Sequence, residues 1–125
     1  MKDEKAFCDE VVIPYLIEKG HEILRRNQTS GFIREKSGAT LNPIVDISSV
    51  FQGVIYISEV KIKADLDHIQ KAIGQLITHR FIHRTVKRNG IKYQMIFPSR
   101  SQGTHMFLPS FLEYLSKLDI DVLFL

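Results

Sequence analysis

Apolar and polar positions change period several times along the chain, and those changes divide it into elements. From Asp3 to Lys19 the apolar residues Phe7, Val11, Tyr15 and Leu16 recur at helical spacing, with acids at the start and Gly20 as the stop, so a helix is expected. Pro14 lies inside it and lacks a backbone donor, which should kink the helix or split it in two. His21 to Asn27 reads as a strand through Ile23 and Leu24, and Gln28 to Gly31 as a turn; Phe32 to Glu35 either continues that strand or pairs with it. Pro43 to Ile47 reads as a further strand, Ser48 to Gly53 as a turn, and Val54 to Lys63 as a strand rich in β-branched and aromatic residues.

The second half changes period again. Asp65 is placed to cap a helix from Leu66 to Thr85, with a core stripe Leu66, Ile69, Ile73, Leu76 and Ile77 and a neighbouring face of His68, Ala72, Gln75 and His79. Asn89-Gly90 is a turn signal, Ile91 to Phe97 a strand stopped by Pro98, and Ser99 to His105 a polar loop. Pro109 opens a helix through Phe111, Leu112, Leu115 and Leu118, and Asp121 to Leu125 closes the chain as a short strand. The order predicts one α/β domain over residues 1–125, a central mixed β-sheet flanked by helices, with the last helix and strand added to an αβββαβ core.

Composition narrows the class. At 125 residues, with 44% hydrophobic and 25% charged residues, the chain suits a single folded domain without staples. Its apolar runs are too short to cross a bilayer and its first residues lack the apolar region of a signal peptide, so a cytoplasmic protein with no membrane partner is expected. The one cysteine, Cys8, reads as buried filler. Zinc is not expected, because the histidines and Cys8 lack compact ligand spacing, and no nucleotide-cofactor fingerprint is present. The net charge of +3 permits an anionic partner. Its distribution is uneven: His79, Arg80, His83, Arg84, Lys87, Arg88 and Lys92 follow one another with no acid among them. They form either a solvated helix end, complementing the helix dipole, or a surface that grips phosphates.

The chemistry concentrates on the strand from Val54. Side chains two apart share a face, so Glu59 and Lys61 lie together near its exit, and a hairpin from the preceding strand would bring Asp46 toward Glu59. Asp46, twelve residues, Glu59-Val60-Lys61 and then a helix with Ala72-Ile-Gly-Gln-Leu76 resembles the PD-(D/E)xK nuclease superfamily, with its restriction-endonuclease-like fold, archaeal Holliday junction resolvases and RecB-type nucleases. The resemblance covers roughly the first two-thirds of the chain.

It implies that Asp46 and Glu59 ligate Mg²⁺, with Mn²⁺ as a substitute, that the Val60 carbonyl adds an oxygen, and that Lys61 contacts the attacking water or the phosphate. Lys63 shares that face but lies beyond the carboxylates. Glu10 resembles the family's first-helix glutamate or is a solvent-facing charge. Gln75 matches the family's helical glutamine, with His79 standing where RecB-type members carry tyrosine. The activity implied is metal-dependent hydrolysis of DNA phosphodiesters, with endonuclease action favoured. The DNA backbone would be held beside the metal site by Arg80, Arg84, Lys87, Arg88 and His79, and a homodimer is expected. The alternative is a catalytically silent nucleic-acid-binding module of the same fold.

Overall fold

The computed structural model describes residues 3–29, 33–34, 36–41, 43–85, 90–99 and 107–125. Its chain order begins with α1 (Glu4–Phe7), a π-helical turn (Cys8–Val12) and α2 (Ile13–Glu18). Asp3 caps α1 by accepting from the Ala6 N–H. The π turn is the structural answer to Pro14. Ile13 N–H reaches back to the Cys8 carbonyl, and the wider turn accommodates a residue that can donate nothing and would crowd a regular helical turn.

Gly20 then ends α2. Its N–H bonds to the Ile17 carbonyl and that of His21 to the Leu16 carbonyl, the paired closure that needs a left-handed residue between them. Gly20 has φ +101°, and a Cβ there would stand 3.2 Å from the Phe51 ring. Gly20→Ala should therefore destabilise the fold by roughly 1–2 kcal/mol, read as a lowered urea midpoint with an unchanged slope.

A five-stranded sheet follows, in spatial order β1-β4-β5-β6-β7, from β1 (Glu22–Thr29), β4 (Ile44–Phe51), β5 (Val54–Val60), β6 (Ile91–Phe97) and β7 (Ile120–Phe124). The pairs β1–β4 and β4–β5 are antiparallel, while β5–β6 and β6–β7 are parallel and joined through α3 (Leu66–Thr85) and α4 (Pro109–Lys117). The expected mixed α/β sheet is thus present. The two short strands β2 (Ile33–Arg34) and β3 (Thr40–Leu41) pair with each other, so the expected continuation or pairing of this segment with β1 is not what forms.

The hairpin between β4 and β5 is tighter than its sequence suggests. Ser48 and Ser49 read as turn residues, yet both are buried within β4, and the Ser49 hydroxyl bonds His21 Nδ1 at 2.8 Å. Only Gln52 and Gly53 turn the chain, at φ 50° and 76°, the pair of left-handed residues that matches strand twist in a two-residue hairpin.

Helices cover both faces. Phe7, Val12 and Leu16 pack with Ile47, Val60 and Ile96, while Ile69, Ala72, Leu76 and Leu115 pack with Ile57, Tyr93, Met95 and Phe97. β6 alternates between these two cores, so Met95, Ile96 and Phe97 are all completely buried, as expected of a parallel strand between two helical layers. The buried stripe of α3 differs from the expected one. Leu66 and Ile77 are exposed, and the face carrying Ile69, Ala72, Leu76, His79, Ile82 and His83 turns inward. Among the described residues, no helix is long and apolar enough to cross a membrane.

Candidate active site

β4 and β5 place the two acids by register. Ile47 pairs with Ser58, and one step further along the antiparallel ladder Asp46 stands beside the end of β5. Its Oδ2 accepts from the Val60 N–H at 2.8 Å. The side chain thereby takes a strand donor and is fixed in orientation. Glu59, on the adjoining residue of β5, is completely buried.

Glu59 is held from the helix side. Its Oε1 lies 3.0 Å from His79 Nε2 on α3, with His79 itself 1% exposed. The second oxygen, Oε2, has no hydrogen-bond partner among the described residues, and neither does Gln75 Oε1, one helical turn before His79. Burial first, then the negative charge of Asp46, push Glu59 up to about 9. Burial, reinforced by the neighbouring His83, pulls His79 down to about 4, against an opposing pull from Asp46. Distance alone would permit an imidazolium–carboxylate pair. Two charges so deeply buried are costly, and without a cation the proton resides on Glu59 beside a neutral imidazole.

Lys61 follows the last residue of β5, half-buried, where its charge acts on both Glu59 and Glu4 and lowers their pKa. Lys63 is exposed. The first helix also contributes a carboxylate, but a different one from that expected. Glu10 is exposed on the π turn, whereas Glu4 on α1 lines a small cavity with Asp46, Cys8 and Arg26. Burial, then Asp46, raises the Glu4 pKa, and Lys61 and His68 lower it. The register of a helix against a sheet cannot be read from spacing alone. The only signal for Glu4 was its place one residue after the capping Asp3.

Three further expectations are corrected or fall outside the description. His79 cannot grip a DNA backbone, because it is buried against Glu59 and its ring stacks on His83, 6.5 Å away. Arg80 and Arg84 are not beside the carboxylates: α3 runs back along the sheet, and both line a cavity with Val54 at the start of β5. Lys87 and Arg88 lie outside the described residues.

Asp46, Glu59, Val60, Lys61 and Glu4 therefore border one region at the open end of the β4–β5 hairpin, while Gln75 sits on α3 one turn before His79. Among the described residues, no three His, Cys, Asp or Glu side chains are grouped as a ready metal cage. Mg²⁺ does not require one, since it commonly takes one or two carboxylates and fills its remaining positions with water and phosphate oxygens. The orphaned Glu59 Oε2 beside Asp46 fits such a half-site.

The sequence matches no protein-family model and no curated protein. Solved structures share its fold. An XisH family protein from Nostoc punctiforme aligns at TM-score 0.64 with 20% identity, over 92% of this chain and 87% of that one. An fdxN element excision controlling factor protein from Anabaena variabilis aligns at TM-score 0.60 with 21% identity, over 93% and 87%. A protein of unknown function, AF1548, aligns at TM-score 0.58 with 13% identity over 94% of this chain, which spans 56% of its length. The likeness is one of fold: a mixed sheet of five strands between helical layers.

Proposed function

We propose that this chain is a metal-dependent DNA nuclease of the PD-(D/E)xK superfamily, with a restriction-endonuclease-like fold and Mg²⁺, or Mn²⁺ in its place, as the cofactor. The observation that carries the reading is the pairing of Asp46 with Glu59 beside Lys61, with one Glu59 oxygen buried and unpartnered. Asp46, Glu59 and the Val60 carbonyl would hold the ion, which when bound neutralises phosphate charge and lowers the pKa of a water. His79 fixes Glu59 so that Oε2 is the oxygen left for the site. Lys61 presents a compact positive charge where negative charge accumulates on the phosphorus oxygens during attack. Gln75 orients a water or phosphate through its unpartnered oxygen, and Glu4 sits where it can accept a proton from that water.

The excision role named for the Anabaena variabilis protein supports a DNA substrate. A homodimer would supply the second active centre that double-strand cutting requires, and sedimentation at micromolar concentration reads its mass directly.

The test is cleavage of linear, circular single-stranded and four-way-junction DNA with Mg²⁺, Mn²⁺ or EDTA. Asp46→Asn and Lys61→Ala should each lower the rate by about 10²–10³-fold while DNA binding survives. One observation favours a second reading, a binding module without catalysis: Glu59 has no exposed surface and is already engaged by His79. Undiminished, salt-sensitive DNA binding with no cutting under any metal would select it.

A further inference from the structure

Two arginines of α3 face a cavity away from the carboxylates. At the other end of β5, a cavity of about 430 Å³ is lined by Arg80 and Arg84 from α3, by Gly90, Lys92 and Tyr93 from the approach to and start of β6, and by Asp119. Counting from Val54 at its wall to Glu59, five residues of strand at about 3.3 Å each separate it from the metal half-site by roughly 17 Å.

Several lysines and arginines of the described surface pair with carboxylates: Lys5 and Arg26 share Asp9, Lys71 takes Asp67, and Lys117 takes Glu113. Arg80 and Arg84 form no ion pair among the described residues, although Asp119 lines the same cavity, while Lys92 sets its ammonium over the Tyr56 ring on the other face of the sheet. Arg80 and Arg84 are one helical turn apart and project together, and the Arg80 guanidinium is pinned by donating to the Leu118 carbonyl. Both guanidiniums act on the Tyr93 phenol, which is buried with its oxygen 3.0 Å from His83 Nδ1. The walls are thus set by hydrogen bonds, while two guanidiniums share one space with the single carboxylate of Asp119.

We propose that this cavity binds a phosphate group, held by Arg80 and Arg84 and distinct from the site at Asp46 and Glu59. The group is either a backbone phosphate of bound nucleic acid or a free phosphate or phosphomonoester. On duplex DNA, 17 Å corresponds to about five base steps at 3.4 Å, so a single bound duplex is long enough to supply it.

Two measurements in EDTA test this without relying on cleavage. The first titrates inorganic phosphate against chloride at constant ionic strength and follows amide shifts at Gly90, Lys92, Tyr93 and Asp119. The second measures duplex affinity at two salt concentrations. Both use the wild type, Arg84→Glu and, as a control with the same charge change, Lys117→Glu, since Lys117 and Arg84 are both exposed.

Localised phosphate shifts lost in Arg84→Glu, with duplex affinity lowered about tenfold and a salt slope reduced by about one, assign a backbone phosphate. Shifts without a change in duplex affinity assign the free anion, and weakened duplex binding without shifts assigns a site that needs the polymer. No localised shift, with duplex affinity equal to that of Lys117→Glu, overturns the proposal. A chain that cuts no DNA refutes the nuclease reading and leaves each of these outcomes as decisive as before.

Discussion

Glu59→Gln should remove metal-dependent cleavage, by at least about 10³-fold, and at the same time make the metal-free protein more stable at alkaline pH. The two effects share one cause. Glu59 is completely buried and its folded-state pKa is raised from 4.5 to about 9, by burial first and by Asp46 second. Between those values the folded protein holds a proton that the unfolded chain releases, so stability falls as pH rises through the window, by up to about 1.4 kcal/mol per pH unit for one proton.

His79 has the opposite sign, because its pKa is lowered from 6.5 to about 4 and the unfolded chain binds the extra proton between them. The two slopes offset from about pH 4.5 to 6.5, and above 6.5 only the Glu59 slope remains. Urea unfolding in EDTA at pH 6 and pH 8.5 should show a clear loss for the wild type and a much smaller one for Glu59→Gln. A wild type equally stable at both values would mean that Glu59 is ionised without a cation. The same argument predicts that Mg²⁺ binding releases a proton and tightens with pH, measurable by titration calorimetry in buffers of different ionisation enthalpy.

The elements that sequence makes legible are those with a strong local period. β5 announces itself by its β-branched run, α3 by its length and its Asp65 cap, which accepts from the His68 N–H, and α4 by Pro109 in its first turn. The hairpin that carries Asp46 to Glu59 is legible for the same reason, although its turn is shorter than Ser48 and Ser49 suggest, since burial in the sheet overrides their preference for turns.

What stays hidden is which face of a helix meets the sheet, and where along it. α3 alternates apolar and polar residues so evenly that two faces compete. Leu66 and Ile77 would anchor one of them, yet the face with two histidines is the one that packs. That choice becomes reasonable only once Glu59 and the Tyr93 hydroxyl are in place to receive the imidazoles. The same ignorance of direction put the Arg80 and Arg84 charges beside the carboxylates, when α3 carries them back to the start of β5. It also left Glu4 unnoticed and Glu10 as the first-helix candidate, because the π turn before Pro14 rotates the helix surface in a way that a regular period does not anticipate.

His79→Ala should separate a buried structural partner from a DNA-gripping residue by direction as well as size. Removing the imbidazole leaves Glu59 Oε1 without its partner and opens a cavity between α3 and β5, where both side chains have almost no exposure. The orphaned oxygen and the void together should lower stability by on the order of 3 kcal/mol, seen as a reduced urea midpoint. Duplex affinity of the folded fraction should stay within about twofold of wild type, since no surface charge changes, and its salt dependence should be unaltered. His79→Asn, which keeps a donor near Glu59, should recover part of the stability. Metal affinity should fall in His79→Ala and recover partly in His79→Asn, by the roughly 10–100-fold typical of groups that orient a ligand. A stable His79→Ala protein with weakened, less salt-sensitive DNA binding would instead return His79 to the phosphate-gripping surface.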